Sequence, residues 1–543
     1  MDYSIENGTI IDGLGKTPFR GNLLIRKGRL TTINTSPISA HRLEAANPGV
    51  QRIDATGCYV SPGFIDAHSH ADLAPFTPEK LELKLHQGVS TEVVGQCGFS
   101  PAPMPTERQG GWLQYYVPGS PLTTWHWETS KEFYSALRQQ GLPLNFMPFV
   151  GHGTLRYAVK GESSAPMSSD ELDRMDSLLA EAFAEGAAGL SFGLIYVPAL
   201  FAQPDELLRA ARCAARHQRI LSVHMRSESD ELIKALNEMI TLKQKTGVRM
   251  HISHLKAIGP QNQEKIDKAL EVIEAHQLSF DSYPYTYGST SLLSMLPPQL
   301  FQGQSIHAGL LQLTDPKVRK EVESLLQGEI QAPTGLPWDN LAQLLGWERI
   351  ELSWIPNGPY NDLQGRTLAN AAELRGISPV ELTLQLSEKY GGQVRIIDEY
   401  SYEETLQKII KHPVGITSSD TLLGGRQHPR TAGSFARMIA HYSRPRGPLN
   451  LETAVHRMTG RSSALLGLKN RGFLRPGAVA DIAVWKPDFM DTATRMEPEK
   501  PAEGLKWLLI NGHAVIAQLN LKSRAASPQA GKLLLAPEEV LPQ

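Results

Sequence analysis

The sequence predicts an α/β fold: a (β/α)8, TIM-like barrel joined to a small β-sandwich domain built from both chain ends. Three observations predict it. Eight short apolar runs recur through the middle of the 543-residue chain, at 63–70, 90–97, 144–152, 188–196, 220–226, 248–256, 278–285 and 414–420. Amphipathic helical stretches separate several of them, the alternation expected of right-handed βαβ units around a parallel sheet. The two chain ends share a different texture of short alternating strands and tight turns.

At the N-terminus, "YSIENGTIIDGLG" and "NLLIRKGRLTTI" alternate apolar and polar residues around Asn7-Gly8, Asp12-Gly13 and Lys27-Gly28, which read as hairpin turns. "GFLRPGAVADIAVWKPD" and "LKWLLINGHAVI" repeat that texture late in the chain. Residues 1–60 and 470–543 are therefore assigned to the small domain and 61–469 to the barrel. Between the runs, "SSDELDRMDSLLAEAFAEG" opens with Ser168 and Glu171 spaced as a capping box and closes on Gly186. "SDELIKALNEMITLKQKTG" and "PQNQEKIDKALEVIEAHQ" keep helical spacing of apolar residues. A long excursion between the seventh and eighth runs, at about 290–410, reads as an insertion near the barrel mouth, a lid or side wall.

Composition narrows the function. Apolar residues at 41% and charged residues at 20% suit a soluble globular protein, and a formal charge of −2 gives no reason to expect nucleic acid or an anionic membrane as partner. No run reaches the ~20 apolar residues of a spanning helix, and no signal peptide is visible. Cys58, Cys97 and Cys213 are too few and too scattered for a disulfide framework. The expected setting is cytoplasmic.

In such barrels the reacting groups lie at the C-terminal strand ends. Those ends read His68 and His70, Cys97, His152, Tyr196, His224, His254 with Lys256, Tyr283, and Asp420. In an extended strand His68 and His70 point the same way, about 7 Å apart, which suits two imidazoles closing on one ion or two ordinary surface histidines. Taken singly, Cys97 reads as a small core residue, His224 as a satisfied interior histidine and Asp420 as a helix cap. Converging on one ring, they read as a metal site. Cys97, His224 and His254 make a three-ligand zinc set with one open position, while His68, His70 and Asp420 could hold a second, weaker ion or complete the first. Zinc gives a hydroxide source near neutral pH, and an aspartate beside it can carry the proton to a leaving amine. By strand alternation His251 should face away from His254, and Arg226 should share a face with His224. His152 is left between a supporting and a structural role.

These residues sit in segments that resemble the amidohydrolase superfamily, and more closely its N-acyl-D-amino-acid deacylase (D-aminoacylase) family. "PGFIDAHSHAD" resembles the superfamily's first-strand signature. "GQCGFSPAP", "VGHGTLR", "GLIYVP", "HMRSE", "SHLK", "YPYTYGST" and "SSD" followed by "HPRTAGSFAR" are similar to the narrower family, almost end to end. The resemblance implies that Cys97, His224 and His254 hold one tight Zn2+, that His68 and His70 flank a second site, and that Asp420 is the general base. It implies that Lys256, Tyr283, Ser289 and Arg430 hold the substrate, with Tyr196 near the carbonyl. Physically, Lys256 and Arg430 could each clamp a free α-carboxylate, although Arg430, in a loop, could equally make a surface ion pair. Many amidohydrolases place a metal-bridging carboxylated lysine on the fourth strand, but "AGLSFGLIYV" contains none. Cys97 would take that place. The expected activity is hydrolysis of an N-acyl-D-amino acid, a small-molecule substrate, to a carboxylate and a D-amino acid. The alternatives are an amide hydrolase for cyclic amides or dipeptides, and a non-catalytic scaffold.

Overall fold

The computed structural model describes residues 1–35, 49–77, 81–116, 125–331, 337–422, 428–443, 447–517, 530–536 and 538–539. All eight apolar runs coincide with barrel strands: Phe64–Asp66, Val89–Val94, which starts one residue before its run, Asn145–Gly151, Gly189–Gly193, Ile220–His224, Met250–Ile252, Ser279–Ser282 and Gly415–Thr417. Each pairs in parallel with the next in chain order, and the last pairs with the seventh. Ile65, Val93, Met147, Phe149, Ile220 and Ile416 fill the interior as one buried cluster, joined by Leu534 from the C-terminal segment. The sheet path is open between the first and eighth strands, and closure happens one step further along. There Thr421–Leu422 pairs in parallel with Ser69–His70, and the Asp420 N–H donates to the His68 carbonyl at 2.9 Å. The seam of the barrel thus lies at its C-terminal rim.

Below that seam lies a buried polar knot. Lys84 Nζ donates to Asp66 Oδ2 at 2.7 Å and to Ser419 Oγ at 2.5 Å, and stands 3.3 Å from Glu92 Oε1. Asp66 in turn accepts from the Ser419 N–H at 2.9 Å. One lysine so ties the first, second and eighth strand regions together across the gap.

The crossover helices follow their sequence signals. Helix Ser169–Ala184 carries the Ser168/Glu171 capping box, and helix Leu232–Thr246 ends on the left-handed Gly247. Helix Lys265–Ala275 buries Ile266, Ala269, Leu270 and Ile273 on one face. Both chain ends build one eight-stranded mixed sheet, in which strand Ile482–Met490 of the late segment pairs with Tyr59–Pro62. Lys27-Gly28 is a tight hairpin turn with φ of 49° and 76°, as its residues demand. Asn7-Gly8 is not a turn. It lies inside strand Tyr3–Ile10, where Asn7 takes φ of 61° and the register shifts, forming a β-bulge. A side chain on Gly8 would meet Val60 Cγ2 at 2.5 Å, so close strand approach explains the glycine.

The excursion between the seventh and eighth strands carries its own antiparallel sheet of Gly288–Ser291, Arg395–Asp398 and Ile350–Trp354, backed by helices such as Pro379–Tyr390. Its residues form much of the wall over the barrel mouth.

Candidate metal centre and substrate cavity

The residues at the strand ends converge. Cys97, His224 and His254 offer ligand atoms within 4.8 Å of one another, as do His68, His70 and Cys97, and His68, His254 and Asp420. Cys97 Sγ stands 3.2 Å from His68 Nε2 and 3.3 Å from His254 Nε2. Two ligands on one tetrahedral zinc, with Zn–S near 2.3 Å and Zn–N near 2.05 Å, are separated by about 3.5 Å, so the spacing fits. Both ring nitrogens of His224 and Nδ1 of His70 are buried with no hydrogen-bond partner. Buried polar atoms are rarely left so, and a cation held with Cys97 and His254 would give one nitrogen of His224 the partner it lacks.

The chain bends sharply to deliver these groups. Cys97, His254 and Asp420 have φ of 49°, 33° and 48°, a left-handed backbone uncommon for residues of this kind. Such strain persists where surrounding structure over-determines it, and here it turns three side chains from different strand ends toward one point.

Two carboxylates orient the imidazoles from behind. His254 Nδ1 lies 3.0 Å from Glu228 Oε1, and His68 Nδ1 lies 3.3 Å from Asp281 Oδ2, leaving each Nε2 facing Cys97. This is how metal-binding histidines are usually fixed in one tautomer. Glu228 also accepts from Lys256 Nζ at 2.9 Å. Although burial opposes ionisation, Lys256, His224 and His254 hold the Glu228 carboxyl down at about 2. Burial alone would raise the Cys97 thiol, but His68 and His254 pull it well below the usual range, toward thiolate. Asp420 is likewise held well below the usual carboxylate range against its burial, by Arg430 first and then by His70. Its Oδ1 lies 3.3 Å from His70 Nε2 and its Oδ2 lies 2.9 Å from Arg430.

Of these groups, His70, Cys97, His224, Glu228, His254 and Asp420 line a cavity of about 120 Å³. Tyr196, Lys256, Tyr283, Ser289 and Arg430 all line it. Arg430 is no surface residue: it is 1% exposed at the start of helix Arg430–Tyr442, with its guanidinium 4.6 Å from the centre of the Tyr283 ring. The rings of Tyr196 and His224 meet edge to face, 5.1 Å between centres. Leu200, Leu293, Leu296, Phe301 and Trp338 give the remaining wall its apolar character.

Three sequence expectations need correction or completion. His251 faces inward: its Nε2 lies 3.0 Å from Asp281 Oδ2. Alternation fails because the strand stops at Ile252 and the left-handed turn at His254 resets the direction. Arg226 turns away from the centre, binding Glu238 and the carbonyls of Leu200 and Ala202. His152 is bound to Glu206 at 2.8 Å in a buried cluster with Arg156 and is not among the cavity residues, a structural role. Glu228, Asp281 and Asp398 were missed. Asp281 shares the strand face of Tyr283, two residues on, and that spacing was a usable signal.

The fold and this cradle define a parallel (β/α)8 barrel with a histidine, cysteine and aspartate centre at its C-terminal rim, the type of a metal-dependent hydrolase. The amidohydrolase family profile matches residues 51–515, and the chain belongs to that family. It is 31% identical over 522 residues to a D-aminoacylase of Alcaligenes xylosoxydans xylosoxydans, covering 95% of this chain and 94% of that one. An N-acyl-D-glutamate deacylase of the same organism is also 31% identical, over 525 residues, with the same coverage. The crystal structure of N-acyl-D-glutamate deacylase from Bordetella bronchiseptica, complexed with zinc and a phosphonate mimic of the tetrahedral intermediate, superposes with a TM-score of 0.81. It is 30% identical and covers 99% of this chain and 100% of that one. Among the described residues no helix is long and apolar enough to cross a membrane.

Proposed function

We propose that this chain is a zinc-dependent hydrolase that cleaves the amide bond of N-acyl-D-amino acids, releasing a carboxylate and a D-amino acid. The observation that carries the reading is the meeting of Cys97, His224 and His254 with His68, His70 and Asp420 at one rim. Cys97, His224 and His254 would hold the tighter zinc, and His68 and His70 a second, weaker ion. The chemistry supplied by a bound zinc is Lewis acidity toward the amide carbonyl and acidification of water to a pKa of roughly 7.

The chain's own residues do the rest. Asp420, kept ionised by Arg430, accepts a proton from water at Oδ1 and returns it to the leaving nitrogen. Glu228 and Asp281 hold the imidazoles of His254 and His68 in place. Lys256, Tyr283, Ser289 and Arg430 hold the substrate's α-carboxylate, and Tyr196 faces the acyl oxygen beside His224. The D preference is taken from the relatives. A cytoplasmic, reducing setting suits a working Cys97 thiolate.

Turnover of N-acetyl-D-leucine by zinc-loaded protein, against N-acetyl-L-leucine and a hydantoin, tests the reading. The D form should be hydrolysed and the other two should not. Hydrolysis of the hydantoin in preference would reassign the enzyme to cyclic amides.

A further inference from the structure

Asp398 is a carboxyl group in the cavity that neither the cation cradle nor the neighbouring ion pairs employ. It ends strand Arg395–Asp398 of the excursion, is 5% exposed, and lines the cavity with Lys256, Tyr283 and Arg430. Among the described residues no side chain donates a hydrogen bond to it. The two cations it faces already have partners: Lys256 holds Glu228 and Arg430 holds Asp420. Opposite Asp398 in the ladder stands Gly288, where a Cβ would lie 3.1 Å from Asp398 Oδ1 and 3.2 Å from the Tyr283 hydroxyl. The glycine therefore keeps the space between these two polar groups open.

The pocket assigned to the substrate's carboxylate thus already contains a carboxyl. Two carboxylates sharing such a site cannot both stay ionised, and one takes a proton. We propose that Asp398 belongs to the substrate-carboxylate pocket and, protonated, donates a hydrogen bond to the substrate's carboxylate, the pair sharing one proton between Lys256, Tyr283 and Arg430. This rests on the N-acyl-D-amino-acid reading and names a binding residue for it. Burial pushes the Asp398 carboxyl up to about 7, against the pull of Lys256 and Arg430 and with the help of Glu228. Tyr283 and Tyr400, which face each other close by, are both raised by burial and stay neutral. An anionic substrate arriving above neutrality must bring one proton from solvent to Asp398, and that proton leaves when the pocket empties.

The test is the pH dependence of KM for N-acetyl-D-leucine, with Asp398→Asn and Asp398→Ala beside the unaltered enzyme. Above about pH 7 the unaltered enzyme should show KM rising about tenfold per pH unit. Asp398→Asn, whose amide donates at every pH, should show a KM that no longer follows pH in that range. Asp398→Ala should raise KM about tenfold at about pH 6, where the acid form is present. A second measurement needs no change at Asp398: calorimetric binding of N-acetyl-D-leucine to zinc-loaded Asp420→Asn protein, in two buffers of different ionisation enthalpy. About one proton should be taken up per ligand bound at about pH 8.5. Zero uptake, or an Asp398→Asn enzyme that keeps the unaltered slope, overturns the proposal. If N-acetyl-D-amino acids are hydrolysed with a flat KM, only the role of Asp398 fails. If none is hydrolysed or bound, the substrate reading fails and this one with it.

Discussion

Replacing Glu228 with glutamine should weaken zinc binding and destabilise the fold together. The carboxylate has two duties: it accepts from His254 Nδ1 at 3.0 Å and from Lys256 Nζ at 2.9 and 3.0 Å. Glutamine keeps the shape but leaves the Lys256 charge buried without its counter-ion, and it offers His254 a weaker acceptor. A carboxyl whose pKa falls from 4.5 to about 2 on folding contributes on the order of 3 kcal/mol at neutral pH. Because the folded value is depressed, that contribution is complete above about pH 4.5 and is lost as pH falls toward about 2. Loss of a carboxylate behind a metal-binding histidine typically lowers metal affinity by about 10–100-fold, or about 1.4–2.7 kcal/mol. Zinc affinity is read by competition against a chromophoric chelator, and stability by urea unfolding of zinc-free protein at several pH values above 5. The variant should lose both by these amounts, with a stability deficit constant from about pH 5 to 6.5 that narrows at higher pH, because Glu228 also helps to raise His254 to about 9. Zinc affinity within about twofold of the unaltered protein, with an unchanged unfolding midpoint, would show that Glu228 does not orient His254.

Other changes separate chemistry from scaffold. Asp420→Asn should lower kcat by about 10²–10⁴-fold while leaving zinc content intact, as measured by metal analysis beside the assay; loss of zinc in parallel would make Asp420 a ligand first. Lys84→Met strands Asp66 and Glu92 in the barrel seam and should cost about 3–5 kcal/mol in urea unfolding. A loss below about 1 kcal/mol would mean the seam does not depend on that knot. The apolar wall of Leu200, Leu293, Leu296, Phe301 and Trp338 should favour N-acetyl-D-leucine and -D-methionine over -D-aspartate and -D-glutamate by about tenfold or more in kcat/KM. The opposite order would give Arg395, which lines the same cavity, the deciding role.

Much of the barrel was legible because short buried strands leave compact apolar runs, and the chemical residues sit where those runs stop. Cys97, His224 and Asp420 could be placed on one rim from that rule alone. What the periodicity could not show was the backbone beyond each strand. The left-handed turn at His254 brought that side chain to the inward face His251 already occupies in the strand, and the Asn7 bulge replaced an expected hairpin. Glu228 lay in a quoted motif, "HMRSE", yet its partnership with His254 and Lys256 is made by loop geometry that no spacing encodes. Asp398 was least visible. It comes from the excursion, whose strands reach the cavity only through tertiary contact with the barrel mouth.

Diffraction data collected at the zinc absorption edge from zinc-loaded crystals put the whole scheme at risk in a single map. An anomalous peak about 2.0–2.3 Å from Cys97 Sγ and from one ring nitrogen each of His224 and His254 is expected. A map with its zinc peaks elsewhere, or with Cys97 and His224 too far apart to touch one ion, would contradict it.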